Sequence, residues 1–191
     1  MLIRFRNQQL ENYLKGFQEK QVIPYDKLHL KEQISRIELF DESIDFSQLD
    51  YDALMCYHVF PSNIMRFITQ WEHENRSMRI GDVIVQQIHF PPMVNAPLKM
   101  IMAVRISEII DEPKRKGFSY ETLEGHVEKG ISTFTLEQTT TGIHFQISTF
   151  STPGNRLLRW LAPIFTVPYQ CFCTRAALRN VKQKSVRMHE K

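Results

Sequence analysis

The sequence predicts an α+β fold in which a curved antiparallel sheet grips one long C-terminal helix. Three observations predict it. Residues 98–110 alternate apolar and polar side chains, residues 118–147 do so twice around a glycine-punctuated joint and a threonine-rich turn, and residues 155–181 carry an apolar stripe at helical spacing. Consecutive strands followed by a terminal helix define that class.

Composition bounds what such a chain can do. With 191 residues, 42% of them hydrophobic, it can bury a substantial single core. The net charge of +3, from 24 basic and 21 acidic residues, is too balanced to predict a nucleic-acid partner. Charge is asymmetric only locally. Residues 38–52 hold six acidic and no basic side chains, whereas the C-terminal end carries Arg175, Arg179, Lys182, Lys184, Arg187 and Lys191 against Glu190. Cys56, Cys171 and Cys173 do not make a disulfide framework, and the Cys-x-Cys pair has no second pair at zinc spacing, so neither a metal nor a cofactor is expected. The first residues lack the apolar core and small-residue cleavage pattern of a secretory signal, and a cytoplasmic location follows by default. No apolar run reaches the ~20 residues of a membrane span. Residues 160–173 come nearest; interrupted by Pro163 and Pro168 and flanked by arginines, they read as a segment able to lie on a membrane surface.

Taken in order, residues 6–20 place Leu10, Tyr13, Leu14 and Phe17 on one stripe of an amphipathic helix. Short strands are expected over 27–30 and 34–40. Residues 53–60 read as a strand, and Pro61-Ser62-Asn63 then offer caps to a helix whose Ile64, Phe67, Ile68 and Trp71 follow the i, i+3, i+4, i+7 spacing. A strand over 83–90 has Ile84, Ile88 and Phe90 on one side, with Gln86 as the exception, and Pro91-Pro92 ends it. The next strand sets Leu98, Met100, Met102, Val104 and Ile106 against Lys99, Ile101, Ala103, Arg105 and Ser107, so one face is almost wholly apolar. Residues 111–117 read as a charged loop. Phe118 and Tyr120 open a strand interrupted by Gly125 and Gly130, as at a bulge or close backbone approach. Phe134 and Leu136 face inward on the next strand. Residues 139–142 turn the chain, and Ile143, Phe145 and Ile147 face inward again. Asn155 then caps the terminal helix, with Leu157, Leu161, Ile164, Cys171 and Leu178 on or near its stripe, and Pro163 and Pro168 bend or divide it.

The layered arrangement leaves room for a cavity between sheet and helix, the place where small apolar molecules bind. Met100, Met102, Phe118, Tyr120, Thr122, Phe134 and Phe145 are the candidate lining residues. Methionines such as these can line an adaptable pocket or simply fill a core. His126 and Glu128 are spaced to share a face. They can act as a base and its orienting carboxylate, with Glu124 as an alternative orienter and Tyr120 as hydroxyl donor, or simply hydrogen-bond across strands on the wet side of the sheet.

The same residues carry a resemblance. The segment 118–130, with Thr122, Leu123, Gly125, His126 and Gly130, followed by Ile147, Phe150, Ser151 and Pro153, resembles the motif of the domain-of-unknown-function 1990 family (DUF1990, UPF0548-like) of bacteria and plants. The chain departs from the pattern at Glu121, at Ile131-Ser132 and at Gln146; the last two changes remove carboxylates. That family is similar to the START-like helix-grip superfamily of lipid-transfer proteins and polyketide cyclases, which implies the same sheet-around-helix architecture but no activity. The chain accordingly divides into an N-terminal extension (1–50), a helix-grip domain (51–183) and a basic tail (184–191). Two main functions fit: a binder of a small apolar or amphipathic molecule, or an enzyme working on one by acid–base chemistry at His126. A weaker third is membrane or protein docking through residues 160–172 and the basic tail.

Overall fold

The computed structural model describes residues 2–41, 44–93, 95–153 and 167–189. Among the described residues eight strands form one sheet: β1 (Leu2–Arg4), β2 (Glu32–Phe40), β3 (Met65–Thr69), β4 (Val83–Phe90), β5 (Leu98–Glu112), β6 (Arg115–Thr122), β7 (Glu128–Thr139) and β8 (Gly142–Pro153). Their order is β2-β8-β7-β6-β5-β4-β3, with β1 pairing β5, and every pairing is antiparallel. The helices are α1 (Glu11–Gln18), short α2 (Asp52–Met55) and α3 (Gln70–His73), and α4 (Val167–His189).

Both faces of the sheet are covered, and this explains most of what the sequence pattern misread. On the outer face, Leu10, Leu14 and Phe17 of the N-terminal segment pack on Val83, Val85, Ile101, Ala103 and Leu123. Burying each such side chain contributes ~1.5–3 kcal/mol. Polar ties fix this cover. Arg105 Nη2 donates to the Gln18 carbonyl at 2.7 Å, at the C-terminal end of α1, and buried Gln87 accepts the Gln8 N–H at 3.0 Å while donating to Asn7. On the inner face, Ala177 and Leu178 of α4 join the main core with Tyr57, Trp71, Val104, Ile106, Phe118, Phe134 and Phe145. Asn180 Nδ2 and Lys184 Nζ donate to the carbonyls of Val59 and His58, at 2.8 and 3.0 Å, fastening α4 beside α2.

The expected helix over 64–71 is instead β3 followed by the single turn α3. Residues of β3 alternate: Met65 and Phe67 face inward opposite Ile88 and Gln86, while Ile68 faces outward opposite Val85 into the α1 layer. A strand apolar on both sides imitates helical spacing. The expected strand over 53–60 is α2 and a turn. Ala53, Leu54 and Met55 are good helix formers, Asp50 accepts the Asp52 N–H at 2.8 Å, and Tyr57 at φ +61° reverses the chain. The expected loop over 111–117 is a hairpin, because β5 continues to Glu112 and β6 begins at Arg115. Ion pairs Asp111–Lys116 and Glu112–Arg115 flank its turn. Residues 27–29 form a 3-10 turn capped by Asp26 rather than a strand. Of the terminal helix, residues 154–166 lie outside the described residues, with Leu157, Leu161, Ile164 and Pro163; so does most of the expected surface-lying segment. Pro168 stands in the first turn of α4, where a missing N–H costs nothing.

Candidate functional site

A cavity of about 380 Å3 lies between the inner face of the sheet and α4, within the range that holds drug-sized molecules. Strand order segregates its wall. From the β3-β4-β5 flank come Met65, Ile88, Phe90, Leu98, Met100 and Met102, with Gln86 as the one polar side chain among them. The opposite flank supplies Gln33 and Ser35 from β2, Thr149 from β8, Glu128 and Ser132 from β7, and His126 from the β6–β7 loop. Ile64 and Phe60 precede β3, Phe134 and Ile147 stand on the inner rows of β7 and β8, and Tyr120 of β6, Val127 beside His126, and Cys173 and Thr174 of α4 complete it.

The loop between β6 and β7 is where the glycine-histidine motif acts. Thr122 Oγ1 accepts the Gly130 N–H at 3.1 Å, closing the loop across its base. Leu123 is fully buried in the outer layer. Gly125 takes φ +87°, and Gly130 passes so near β8 that an added Cβ would lie 1.9 Å from the Phe150 carbonyl oxygen. Only glycine fits there. His126 Nδ1 lies 3.0 Å from the Glu128 N–H and 3.1 Å from the Glu128 carbonyl, so either ring tautomer finds a backbone partner. The ring is therefore oriented by the Glu128 backbone rather than by its carboxylate.

His126 and Glu128 are both half-buried residues of the cavity wall. Burial holds the His126 ring neutral, lowering its pKa to about 4, and pushes the Glu128 carboxyl up to about 7 against the pull of a Ser151 hydrogen bond. Neither desolvated group is charged in the low-dielectric wall at mildly acid pH.

A run of hydroxyls crosses the middle of the cavity. Antiparallel register puts Gln33, Thr149, Ser132 and Tyr120 on one continuous rung across β2, β8, β7 and β6. Ser132 and Thr149 hydroxyls are 3.0 Å apart, and the Tyr120 ring lies edge-on to Tyr57 with centroids 6.1 Å apart. Tyr57, buried completely, accepts from Gln86 Nε2 at 2.7 Å. This resolves the polar exception on β4: Gln86 faces inward to satisfy a buried phenol. The Tyr57 ring packs against Phe60, Phe67, Phe118, Tyr120 and Phe134 with centroids 5.1–6.2 Å away, which holds its left-handed backbone in place.

Of the residues singled out from sequence, Met100, Met102, Tyr120, Phe134, His126 and Glu128 meet at the cavity wall. Phe118 and Phe145 lie in the solid core, Thr122 closes the loop, and Glu124 is exposed with its N–H on the Gln21 carbonyl. Tyr57, Gln86, Ser132 and Thr149 were missed. The first was hidden by the misread strand; Gln86, as a lone polar side chain among inward apolar ones, was the available signal. Among the described residues no group of three histidine, cysteine or acidic side chains can hold a metal, and no helix is long and apolar enough to cross a membrane.

Fold and site define a class of protein: an antiparallel sheet with a C-terminal helix across its inner face and a cavity between them. The sequence profile described as a domain of unknown function, DUF1990, matches residues 36–180, and the chain belongs to that family. A UPF0548 protein of Deinococcus radiodurans is 34% identical over 90 residues, 45% of this chain and 46% of its own, so the match spans about half of that relative. A hypothetical protein of Helicobacter pylori of known crystal structure superposes with a TM-score of 0.50 at 9% identity, covering 81% of this chain and 86% of its own. The di-domain ARO/CYC StfQ of the steffimycin pathway gives 0.48 at 11% identity, over 84% of this chain and 52% of its own. A major latex-like protein from Panax ginseng gives 0.48 at 17%, over 81% and 97%.

Proposed function

We propose that this protein is a START-like, helix-grip binding protein that holds one small amphipathic molecule in the cavity between sheet and helix. The observation that carries this reading is the uneven wall: six of the seven side chains from the β3-β4-β5 flank are apolar, Gln86 being the exception, whereas hydroxyl, amide, imidazole and carboxyl groups gather on the β2-β8-β7 flank. A molecule with one apolar and one polar end matches it. Three of the apolar six are methionines, whose unbranched side chains repack around varied shapes. Extraction of the protein from its own host and native mass spectrometry identify the molecule. In parallel, Met102→Trp fills the cavity, and the expected result is loss of one-to-one Nile red uptake with folding unchanged. A well-folded wild type that takes up neither Nile red nor any host molecule sinks the proposal.

One observation favours a second reading, turnover of the bound molecule by acid–base chemistry. Glu128, on the cavity wall with a pKa near 7, is poised to carry a proton at neutral pH, whereas a histidine near 4 is a weak base. On this reading Glu128 replaces His126 as the proton carrier. Glu128→Gln would keep uptake of the host molecule and stop its conversion; conversion at an unchanged rate excludes the reading.

A further inference from the structure

The cavity lies at one end of the sheet, where its wall takes the last residues of β4, the first of β5, the β6–β7 loop and Cys173 and Thr174 of α4. Large apolar side chains stand open beside that wall. Ile3, 46% exposed, is the β1 partner of the wall residue Met100, and Phe5, 76% exposed, follows it. Paired residues share one face of a sheet, so Ile3 prolongs the apolar row of Met100 beyond the cavity. Met93, 49% exposed, follows the wall residue Phe90, and Phe172, 48% exposed, precedes Cys173. Cations accompany this rim. Residues 1–10 and 167–189 hold seven arginines and lysines and no acidic side chain. On α4, Phe172, Arg175, Arg179 and Lys182 are all exposed and follow at three- and four-residue steps, one stripe opposite fully buried Ala177. Among the described residues no carboxylate pairs with Arg4, Arg6, Arg175, Arg179 or Lys182.

We propose that this end of the molecule docks on an anionic lipid bilayer, its exposed apolar rim entering the headgroup boundary and its unpaired cations meeting the lipid charge. The proposal rests on the cavity being a binding site for an amphipathic molecule and names the phase from which it is filled. Apolar side chains with basic neighbours suit that boundary: the first bury their surface among acyl chains, and the second are drawn by the negative surface potential. An acidic protein would match the cations but give no reason for the apolar rim to stand open beside an apolar cavity. A molecule that fits against Met100, Met102 and Ile88 partitions out of water, so docking spares it an aqueous crossing. One helix joins the two roles, because α4 has Cys173 and Thr174 on the wall and Phe172 and Arg175 outside it.

The test sediments the full chain with vesicles of pure phosphatidylcholine and with vesicles that also contain phosphatidylglycerol. Binding is expected to the second kind only, and it should fall steeply as salt rises. Arg175→Gln with Arg179→Gln should weaken it about fivefold for each cation removed. Phe5→Ser with Phe172→Ser should weaken it too and slow the transfer of Nile red from those vesicles into the protein. All four side chains are exposed, so urea unfolding of both variants should match wild type. No binding to phosphatidylglycerol vesicles at low salt, or equal binding by wild type and the arginine variant, overturns the docking; uptake of Nile red from solution in that case leaves the binding reading standing. Binding of poly-glutamate in place of vesicles overturns it as well and assigns the cations to an acidic partner. Vesicle binding with Nile red taken up from neither vesicles nor solution overturns the binding reading and the filling role with it.

Discussion

Glu128 and His126 face the same cavity, and burial acts on them in opposite senses, which makes a quantitative test of that wall. For Glu128 the folded pKa is raised from 4.5 to about 7, so the fold prefers the neutral carboxyl: its stability contribution is complete below pH 4.5 and is lost as pH rises towards 7. For His126 the folded value is lowered from 6.5 to about 4, so the contribution is complete above pH 6.5 and is lost as pH falls towards 4. Each interval spans a one-proton difference between folded and unfolded chains, worth about 3 kcal/mol at most. Between pH 4.5 and 6.5 the two slopes cancel. Removing either group unmasks the other. Urea unfolding of wild type and Glu128→Gln, measured from pH 4 to 8, should show the variant gaining on wild type by up to about 3 kcal/mol as pH rises from 4.5 to 7. His126→Gln should gain on wild type in the opposite direction, between pH 6.5 and 4. A difference between variant and wild type that does not change with pH would refute the reasoning, because it would mean that the pair titrates as in water and does not stand in a desolvated wall.

Three further perturbations test how the frame around the site is held. Gly130→Ala forces a Cβ to within 1.9 Å of the Phe150 carbonyl oxygen, and urea unfolding should show a loss of about 3 kcal/mol or more, or no folded product. Gly16→Ala, at an exposed position of α1 with nothing within 4 Å of the added carbon, should instead raise stability by about 1 kcal/mol, and a loss there would contradict the helix. Arg76→Met removes the guanidinium that meets buried Asp82 through two bonds of 2.7 Å, leaving that carboxylate with the Arg79 N–H; thermal and urea unfolding should register a cost of about 3 kcal/mol, and a neutral effect would mean the pair is solvated.

The strands from 83 to 147 were legible in the sequence because each needs only its own period-2 pattern and a turn signal at either end. Residues 83–90 match β4 at both ends, and the 139–142 turn stands where its threonines and glycine put it. The motif around His126 was legible too, since glycines at 125 and 130 mark backbone that no other residue fits. What the chain pattern could not express was which faces another layer would cover. Residues 64–71 look helical only because α1, more than forty residues earlier in the chain, buries the side of β3 that would otherwise be polar. The cavity follows the same logic. Met100 and Met102 can be read as inward from alternation, but the register across four strands decides that Gln33, Thr149, Ser132 and Tyr120 form one rung, and a left-handed turn at Tyr57 decides that Gln86 meets a buried phenol. The sequence by itself determined the strand over 83–90, the alternation of the strands over 98–110 and 118–147, the 139–142 turn and the family motif, which are local properties of backbone preference and side-chain period. The tertiary structure alone decided the polar side of the cavity, because it is assembled from side chains up to 116 positions apart that meet only once the sheet has closed its register.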